Sequence, residues 1–207
     1  MRAVLFDVDG VLIHSIFHPD PTRCRDWGQH MEMDFGVKRE DFNKFFRQDY
    51  GDVARGKRSI VTALDAFLPT IGAKTNAMDL LAYWFENDTP LNLQLLDGIK
   101  RLQRTGQVRV YLATNQEHLR AYHLWTNLRL NHIFDDIFYS ARIGFAKPDP
   151  EFFAIIDYKL GPQSAAPLFF DDSQKNIDAA KQAVWDSVLF ETEDDFFNHP
   201  WIKEQLK

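Results

Sequence analysis

The sequence predicts an α/β fold: an open parallel sheet with helices on both faces, carrying a small all-helical insertion. Three observations predict it. From Leu91 onward, short apolar blocks alternate with stretches of helical periodicity, the pattern of parallel strands joined by right-handed crossovers. Arg2-Ala3-Val4-Leu5 opens the chain with an apolar run of the kind buried on both faces of a parallel sheet. Between them, from about His14 to Asn87, no strand-like block occurs and apolar residues recur at helical spacing.

The elements follow in order. The first strand covers residues 2–8. The insertion shows Phe42, Phe45 and Phe46, then Ile60, Ala63, Leu64, Phe67 and Leu68, then Leu80, Leu81, Trp84 and Phe85 at helical spacing. Pro19, Pro21, Gly36, Gly51, Gly56, Pro69 and Gly72 punctuate it, and Ser59 suits a helix N-cap. Beyond it, Leu95–Arg104 reads as a helix, Val108–Ala113 as a strand, Glu117–Leu128 as a helix and Ile137–Ser140 as a short strand. Pro150–Leu160 reads as a helix closed by Gly161-Pro162, a C-cap glycine and a breaker. Pro167–Phe170 is a strand, Ser173–Ala183 a helix and Ser187–Phe190 a last strand before a polar helical tail. The chain thus divides into a core of 1–13 and 88–207 and an insertion of 14–87.

Composition narrows the function. With 24 basic and 30 acidic residues the net charge is −6, which offers no basic footprint for nucleic acid. A single cysteine, Cys24, excludes an intrachain disulfide and is compatible with a reducing cytoplasm. No signal-peptide segment is visible at the N-terminus, and no run approaches the ~18 apolar residues of a membrane span. The expected protein is cytoplasmic, a monomer or weak homodimer, with a small-molecule substrate and neither nucleic acid nor membrane as partner. Its 18 phenylalanines are expected in core and insertion packing.

In an open parallel sheet the ligand sits beyond the carboxyl ends of the strands, so those ends are where chemistry is sought. The first ends in Asp7-Val8-Asp9-Gly10. Gly10 lets the chain bend, so that one Asp faces a ligand with its side chain and the next with its carbonyl, a set of hard oxygens suited to Mg²⁺. Alone, the same residues read equally as a surface turn. The second ends in Ala113-Thr114-Asn115 where a helix begins; this tripeptide either holds a phosphate oxygen beside free helix N–H groups or caps the helix. Lys147, followed by Pro148 and Pro150, is either a rigidly placed point charge for a phosphate or an ordinary surface lysine. The fourth strand ends in Asp171-Asp172, where mutual repulsion calls for a cation, although Asp172 could cap the next helix. The ordered set of four carries more weight than any member.

That ordered set resembles the haloacid dehalogenase-like hydrolase superfamily over nearly the whole chain. Residues 6–12 (Phe-Asp-Val-Asp-Gly-Val-Leu) look like its first motif, 112–115 (Leu-Ala-Thr-Asn) its second, 146–153 (Ala-Lys-Pro-Asp-Pro-Glu-Phe-Phe) its third and 169–177 (Phe-Phe-Asp-Asp-Ser-x-x-Asn-Ile) its fourth. The resemblance implies a Rossmann-like core, with the insertion similar to a small C1 cap. It implies Asp7 as nucleophile, Asp9 as general acid and base, and Thr114, Asn115 and Lys147 on the transferring phosphoryl group. Mg²⁺ would be held by Asp7, the Asp9 carbonyl and Asp172. Asn176 stands where many members carry a second acid, which leaves the role of Asp171 open, and His14 stands where many phosphatases of this type carry an Asp. Dehalogenases of the superfamily lack an acid at position 9, so Asp9 favours phosphoryl transfer.

The expected activity is Mg²⁺-dependent hydrolysis of a small phosphomonoester, such as a sugar phosphate, through an aspartyl-phosphate on Asp7. The alternatives are a phosphomutase using the same intermediate, and a non-catalytic binding module. Gln48–Lys57 resembles the specificity loop of C1 caps; Tyr50, Arg55 and Lys57 are its candidate substrate contacts, with Trp27, His30 and Arg47 behind them.

Overall fold

The structure, a computed structural model, describes residues 1–14 and 27–207; Pro19, Pro21 and Cys24 lie outside the described residues. Five strands form one parallel sheet: β1 (Arg2–Phe6), β2 (Val108–Thr114), β3 (Asp136–Tyr139), β4 (Leu168–Asp171) and β5 (Asp186–Leu189), in the order β3-β2-β1-β4-β5. The open Rossmann-like α/β architecture is thus as expected.

Why these strands are apolar throughout follows from their two buried faces. In β1, Val4 and Phe6 pack on one side with Val110, Leu112, Leu168 and Phe170, while Ala3 and Leu5 pack on the other with Tyr111, Ala113 and Phe169. Helix α6 (Leu93–Arg104) covers the first face with Leu95, Leu96, Ile99 and Leu102. Helices α9 (Pro150–Leu160) and α10 (Gln174–Gln182) cover the second with Phe152, Phe153, Ile156, Ile177 and Ala180. The C-terminal helices α11 (Glu193–Phe197) and α12 (Pro200–Gln205) are more than a polar tail, because Phe196 and Ile202 are fully buried on the first face.

The insertion is all helix among its described residues: α1 (Met31–Phe35), α2 (Arg39–Gln48), α3 (Tyr50–Ala54), α4 (Ile60–Phe67) and α5 (Ala77–Asn87). It has a separate apolar cluster around Phe42, Phe45, Leu64, Phe67, Leu80 and Trp84. Ser59 occupies the N-cap position of α4, but its hydroxyl makes no capping hydrogen bond. Asn92 ties the return to the core: its N–H donates to the Leu12 carbonyl at 2.7 Å. A buried arginine, Arg120, also braces this junction by donating to Asp88 Oδ2 at 3.1 Å under the rings of Trp84 and Phe85.

Several element ends shift by one or two residues from the sequence reading, and three differences go further or bear on the site. The first strand stops at Phe6, so Asp7 opens a tight turn in which the N–H groups of Val11, Leu12 and Ile13 all donate to the Val8 carbonyl. The helix expected over Glu117–Leu128 is α7 (His118–Tyr122) followed by a π-turn over His123–Asn127. Helix α8 (Ser140–Ile143) begins where β3 was expected to continue. Among the described residues no helix is long and apolar enough to cross a membrane.

Candidate functional site

The chain steps outward from β1 to β2 and β3, then returns to the other side of β1 for β4 and β5. The crevice at such a reversal lies between β1 and β4, where two strand ends diverge. Phe6 pairs with Phe170 in the ladder, and the Asp7 N–H donates to the Phe170 carbonyl at 2.9 Å. Register alone therefore sets Asp7 beside Asp171. Oxygens of Asp7, Asp171 and Asp172 lie within 4.8 Å of one another.

Lys147 enters this cluster from the loop before α9. Its Nζ is 2.9 Å from Asp7 Oδ2 and 2.6 Å from Asp171 Oδ2, and its side chain is 1% exposed. The surface-lysine reading is thereby excluded. Asn115 secures the lysine's backbone: its Oδ1 accepts from the Lys147 N–H at 2.8 Å and its Nδ2 donates to the Lys147 carbonyl at 2.9 Å. Its side-chain amide is thus occupied, and any contact with a phosphoryl oxygen falls to its backbone N–H.

Asp171 is fully buried and saturated with donors. It accepts from Lys147, from the Ser173 N–H at 2.8 Å, and from Asn176 Nδ2 at 2.9 Å and 3.1 Å to its two oxygens. An Asn at position 176 therefore suits Asp171, because an amide donates where a second carboxylate would repel. Asp172 is not the N-cap of α10; that position is Ser173, whose side chain makes no capping hydrogen bond.

Gly10 has φ +87°, and a Cβ there would sit 2.0 Å from Asp172 Oδ2. The glycine thus serves close approach as well as the bend. Crowding shows in the acidities. Burial pushes the Asp7 carboxyl up to about 8 against the pull of Lys147, with Asp171, Asp172 and Asp9 adding to the rise. Burial, reinforced by Asp171, raises Asp172 to about 6. Burial works against the Lys147 ammonium, but Asp171 and Asp7 outweigh it and hold its pKa above the ordinary lysine value. A group of hard oxygen donors that resists its own ionisation fits a hard divalent cation, which would relieve the repulsion.

Thr114 is buried at the end of β2, and the expectation that Thr114-Asn115 adjoins free helix N–H groups is corrected. Helix α7 starts four residues after Thr114, and two of its first three N–H groups, those of Leu119 and Arg120, already donate to the Glu117 carboxylate. A capping role for Thr114 is excluded by the same geometry. Gln116, which the sequence reading passed over, lies between: its Nε2 donates to Asp9 Oδ2 at 2.5 Å and stands 3.5 Å from Thr114 Oγ1. A polar residue past a strand end is too common to have signalled it.

Above the carboxylates lies a cavity of about 320 Å³ between core and insertion. Asp9, Gly10 and Asp172 form its floor, and His14 lies on its wall. Arg39, Phe42, Asn43 and Phe46 line it from α2, one face at i, i+3, i+4 and i+7, with Trp27 and Trp84 beyond. Of the six insertion residues singled out as substrate contacts, only Trp27 lines it among the described residues. Tyr50, Arg55 and Lys57 are absent from its lining; Tyr50–Ala54 is itself a helix, packed against the helix over Ser140–Ile143 of the core. Burial, followed by the charges of Glu117 and Asp9, raises the pKa of the Tyr50 phenol. Arg55 pairs with Asp149 at 2.9 Å, and Lys57, His30 and Arg47 are exposed.

Comparison with known proteins identifies the family. A family model for haloacid dehalogenase-like hydrolases matches residues 1–183. The chain is similar to the fructose-1-phosphate phosphatase YqaB of Escherichia coli, at 24% identity over 89% of this chain and 94% of that protein. In solved structures it resembles a HAD-like family hydrolase from Porphyromonas gingivalis, with 18% identity, TM-score 0.75, and 100% and 98% of the two chains covered. It also resembles the HAD family enzyme bt-2542 of Bacteroides thetaiotaomicron in complex with magnesium and inorganic phosphate, with 19% identity, TM-score 0.69, and 90% and 92% covered. With its strand order, its clustered carboxylates and a family match over most of its length, this chain belongs to the haloacid dehalogenase-like hydrolases.

Proposed function

We propose that the protein is a Mg²⁺-dependent phosphomonoesterase for a small phosphorylated metabolite such as a sugar phosphate, with Asp7 as nucleophile. The observation that carries this reading is the Asp7 carboxylate buried 2.9 Å from Lys147, with Asp171 and Asp172 beside it at the ends of two adjacent strands. The magnesium and phosphate of the bt-2542 complex support it. The named activity of the Escherichia coli relative supports the sugar phosphate.

The placement of each residue supports the role proposed for it. Asp7 attacks phosphorus and takes the phosphoryl group, which splits one difficult hydrolysis into two easier steps. Lys147 offsets the repulsion between that anion and the anionic substrate, and neutralises charge on the phosphoryl oxygens. Thr114 offers its hydroxyl and Asn115 its backbone N–H to the same oxygens. Asp9, on the cavity floor, gives a proton to the leaving oxygen and then takes one from the attacking water. Asp171 holds Lys147 in place. Asp7, the Asp9 carbonyl and Asp172 would hold Mg²⁺, which when bound supplies charge neutralisation at the phosphoryl group. The helical unit acts as a cap over the leaving group, whose walls combine aromatic faces with Arg39, Asn43 and Asp88. Aromatic faces beside hydrogen-bonding groups suit a polyhydroxylated ligand.

The test is phosphate release by the purified, Mg²⁺-loaded protein from a panel of sugar phosphates, nucleotides and phosphoglycolate. Release that EDTA and Asp7→Asn both abolish is the expected result. Interconversion of sugar-phosphate isomers without release would make it a mutase. No reaction across the panel, from folded metal-loaded protein, would overturn the reading.

A further inference from the structure

No role described so far explains the placement of Gln116. It is 2% exposed although its side chain is a free amide. Its backbone carbonyl accepts from the Ala141 N–H at 3.1 Å and the Ser140 hydroxyl at 3.2 Å, which pins the residue between β2 and α8. From that anchored position its Nε2 donates to Asp9 Oδ2, a contact between residues 107 positions apart in the chain. Asp9 itself is exposed on the floor of the cavity.

The two partners are therefore unequal. A solvent-exposed aspartate samples several rotamers, and packing does little to choose among them. A buried glutamine held through its own backbone has one position to offer. A charge-assisted hydrogen bond from the second to the first transfers the rigidity of the β2 end to the carboxylate. The same amide stands 3.5 Å from Thr114 Oγ1, so the orientation of Asp9 is referenced to a proposed phosphoryl-binding hydroxyl. Proton transfer contributes to rate only when donor and acceptor are within hydrogen-bond reach, which makes the direction of that carboxylate a catalytic quantity.

We propose that Gln116 is a positioning residue that fixes the side chain of Asp9 for proton transfer to the leaving group and from the attacking water. The proposal rests on the reading of Asp9 as proton carrier. It adds that the carrier is oriented from the core, by a residue outside the four motifs.

The test compares Gln116→Met and Gln116→Leu with the wild-type chain on two kinds of phosphate. One is an aryl phosphate, whose leaving group departs without a proton; the other is an alkyl or sugar phosphate, whose leaving group needs one. Because kcat/KM reports the steps up to loss of the leaving group, it should fall about 10–100-fold on the alkyl phosphate and less than about 3-fold on the aryl phosphate. A pre-steady-state burst of aryl alcohol should appear in the variants, since attack of water on phosphorylated Asp7 also slows. Asp9→Asn should divide the two substrates in the same way, and Gln116→Met added to it should cost no more than about 2-fold, because the two residues act as one unit.

A merely structural residue would lower both substrates alike. An equal fall on both, no fall on either, or a further loss of more than about 10-fold in the Asp9→Asn background overturns the role of Gln116 and leaves Asp9 standing. Failure of Asp9→Asn itself to discriminate between the substrates overturns Asp9 as proton carrier, and the proposal with it.

Discussion

Replacing Lys147 with methionine keeps much of the side chain's length and removes its charge from a place where two carboxylates meet it. The ammonium lies 2.6 Å from Asp171 and 2.9 Å from Asp7. At an effective dielectric of about 20, each contact carries roughly 6 kcal/mol of coulombic attraction once its carboxylate is ionised, which for Asp7, at about 8, happens only as the pH rises past neutral. Desolvation of the three groups offsets most of it. Breaking such a buried arrangement by removing one partner costs about 3–5 kcal/mol, because the uncompensated charge stays buried. For a chain of 207 residues, about 2–4 °C accompany each kcal/mol, so the metal-free Lys147→Met protein should melt roughly 6–20 °C lower.

The sign of its pH dependence is also determined. Asp7 sits at about 8 with the lysine present, and the lysine is what pulls it down. Without Lys147 the folded-state value rises further above the unfolded one. A carboxyl raised in this way loses stability as pH rises. The deficit against wild type should therefore widen between pH 6.5 and pH 9, as the wild type ionises Asp7 beside a cation and the variant cannot. Circular-dichroism melts of both proteins in EDTA measure it. The double variant Lys147→Met/Asp171→Asn should recover most of the stability and none of the phosphatase activity. A fall of less than about 2 °C, a deficit that does not change with pH, or a double variant no more stable than the single one would refute the reasoning.

Three further outcomes are expected. Gly10→Ala should weaken Mg²⁺ binding, read by calorimetry, because its Cβ would lie 2.0 Å from Asp172 Oδ2; the left-handed φ adds about 1–2 kcal/mol to the cost in stability. Mg²⁺ should raise the melting temperature more at pH 8 than at pH 5.5. Asp7 and Asp172, at about 8 and about 6 in the metal-free fold, hold protons that the ion must displace, and their ionisation destabilises the fold as pH rises from about 4; an equal rise at both pH values would count against that metal site. Asn115→Leu removes both hydrogen bonds to the Lys147 backbone and should cost about 1–3 kcal/mol in a denaturant melt, with kcat falling more than KM changes because the lysine loses its anchor.

Much of this protein was legible in its sequence, for a physical reason. A strand buried on both faces must be apolar throughout, so the alternation of apolar blocks with helical periodicity announces a parallel sheet before any contact is known. The ends of such strands are where polar residues can gather, which placed Asp7, Asp9, Thr114, Lys147 and Asp172 in one list. What spacing cannot express is which partner each side chain takes. Asp171 saturates itself with Lys147, Asn176 and the Ser173 N–H, and Asn115 uses its amide on the lysine's backbone, because register and turn geometry bring those groups within 3 Å. Gln116 had no signal at all, since its contact with Asp9 exists only once the ends of two adjacent strands lie side by side. The cavity wall was missed for a related reason. The periodicity of α2 shows that Phe42 and Phe46 lie near one side of a helix, but only the docking of the insertion on the core decides that Arg39, Phe42, Asn43 and Phe46 face the floor at Asp9 and Asp172. Local sequence sets the period of an element and the chemistry it carries; which of its faces meets another element is a property of the packed whole.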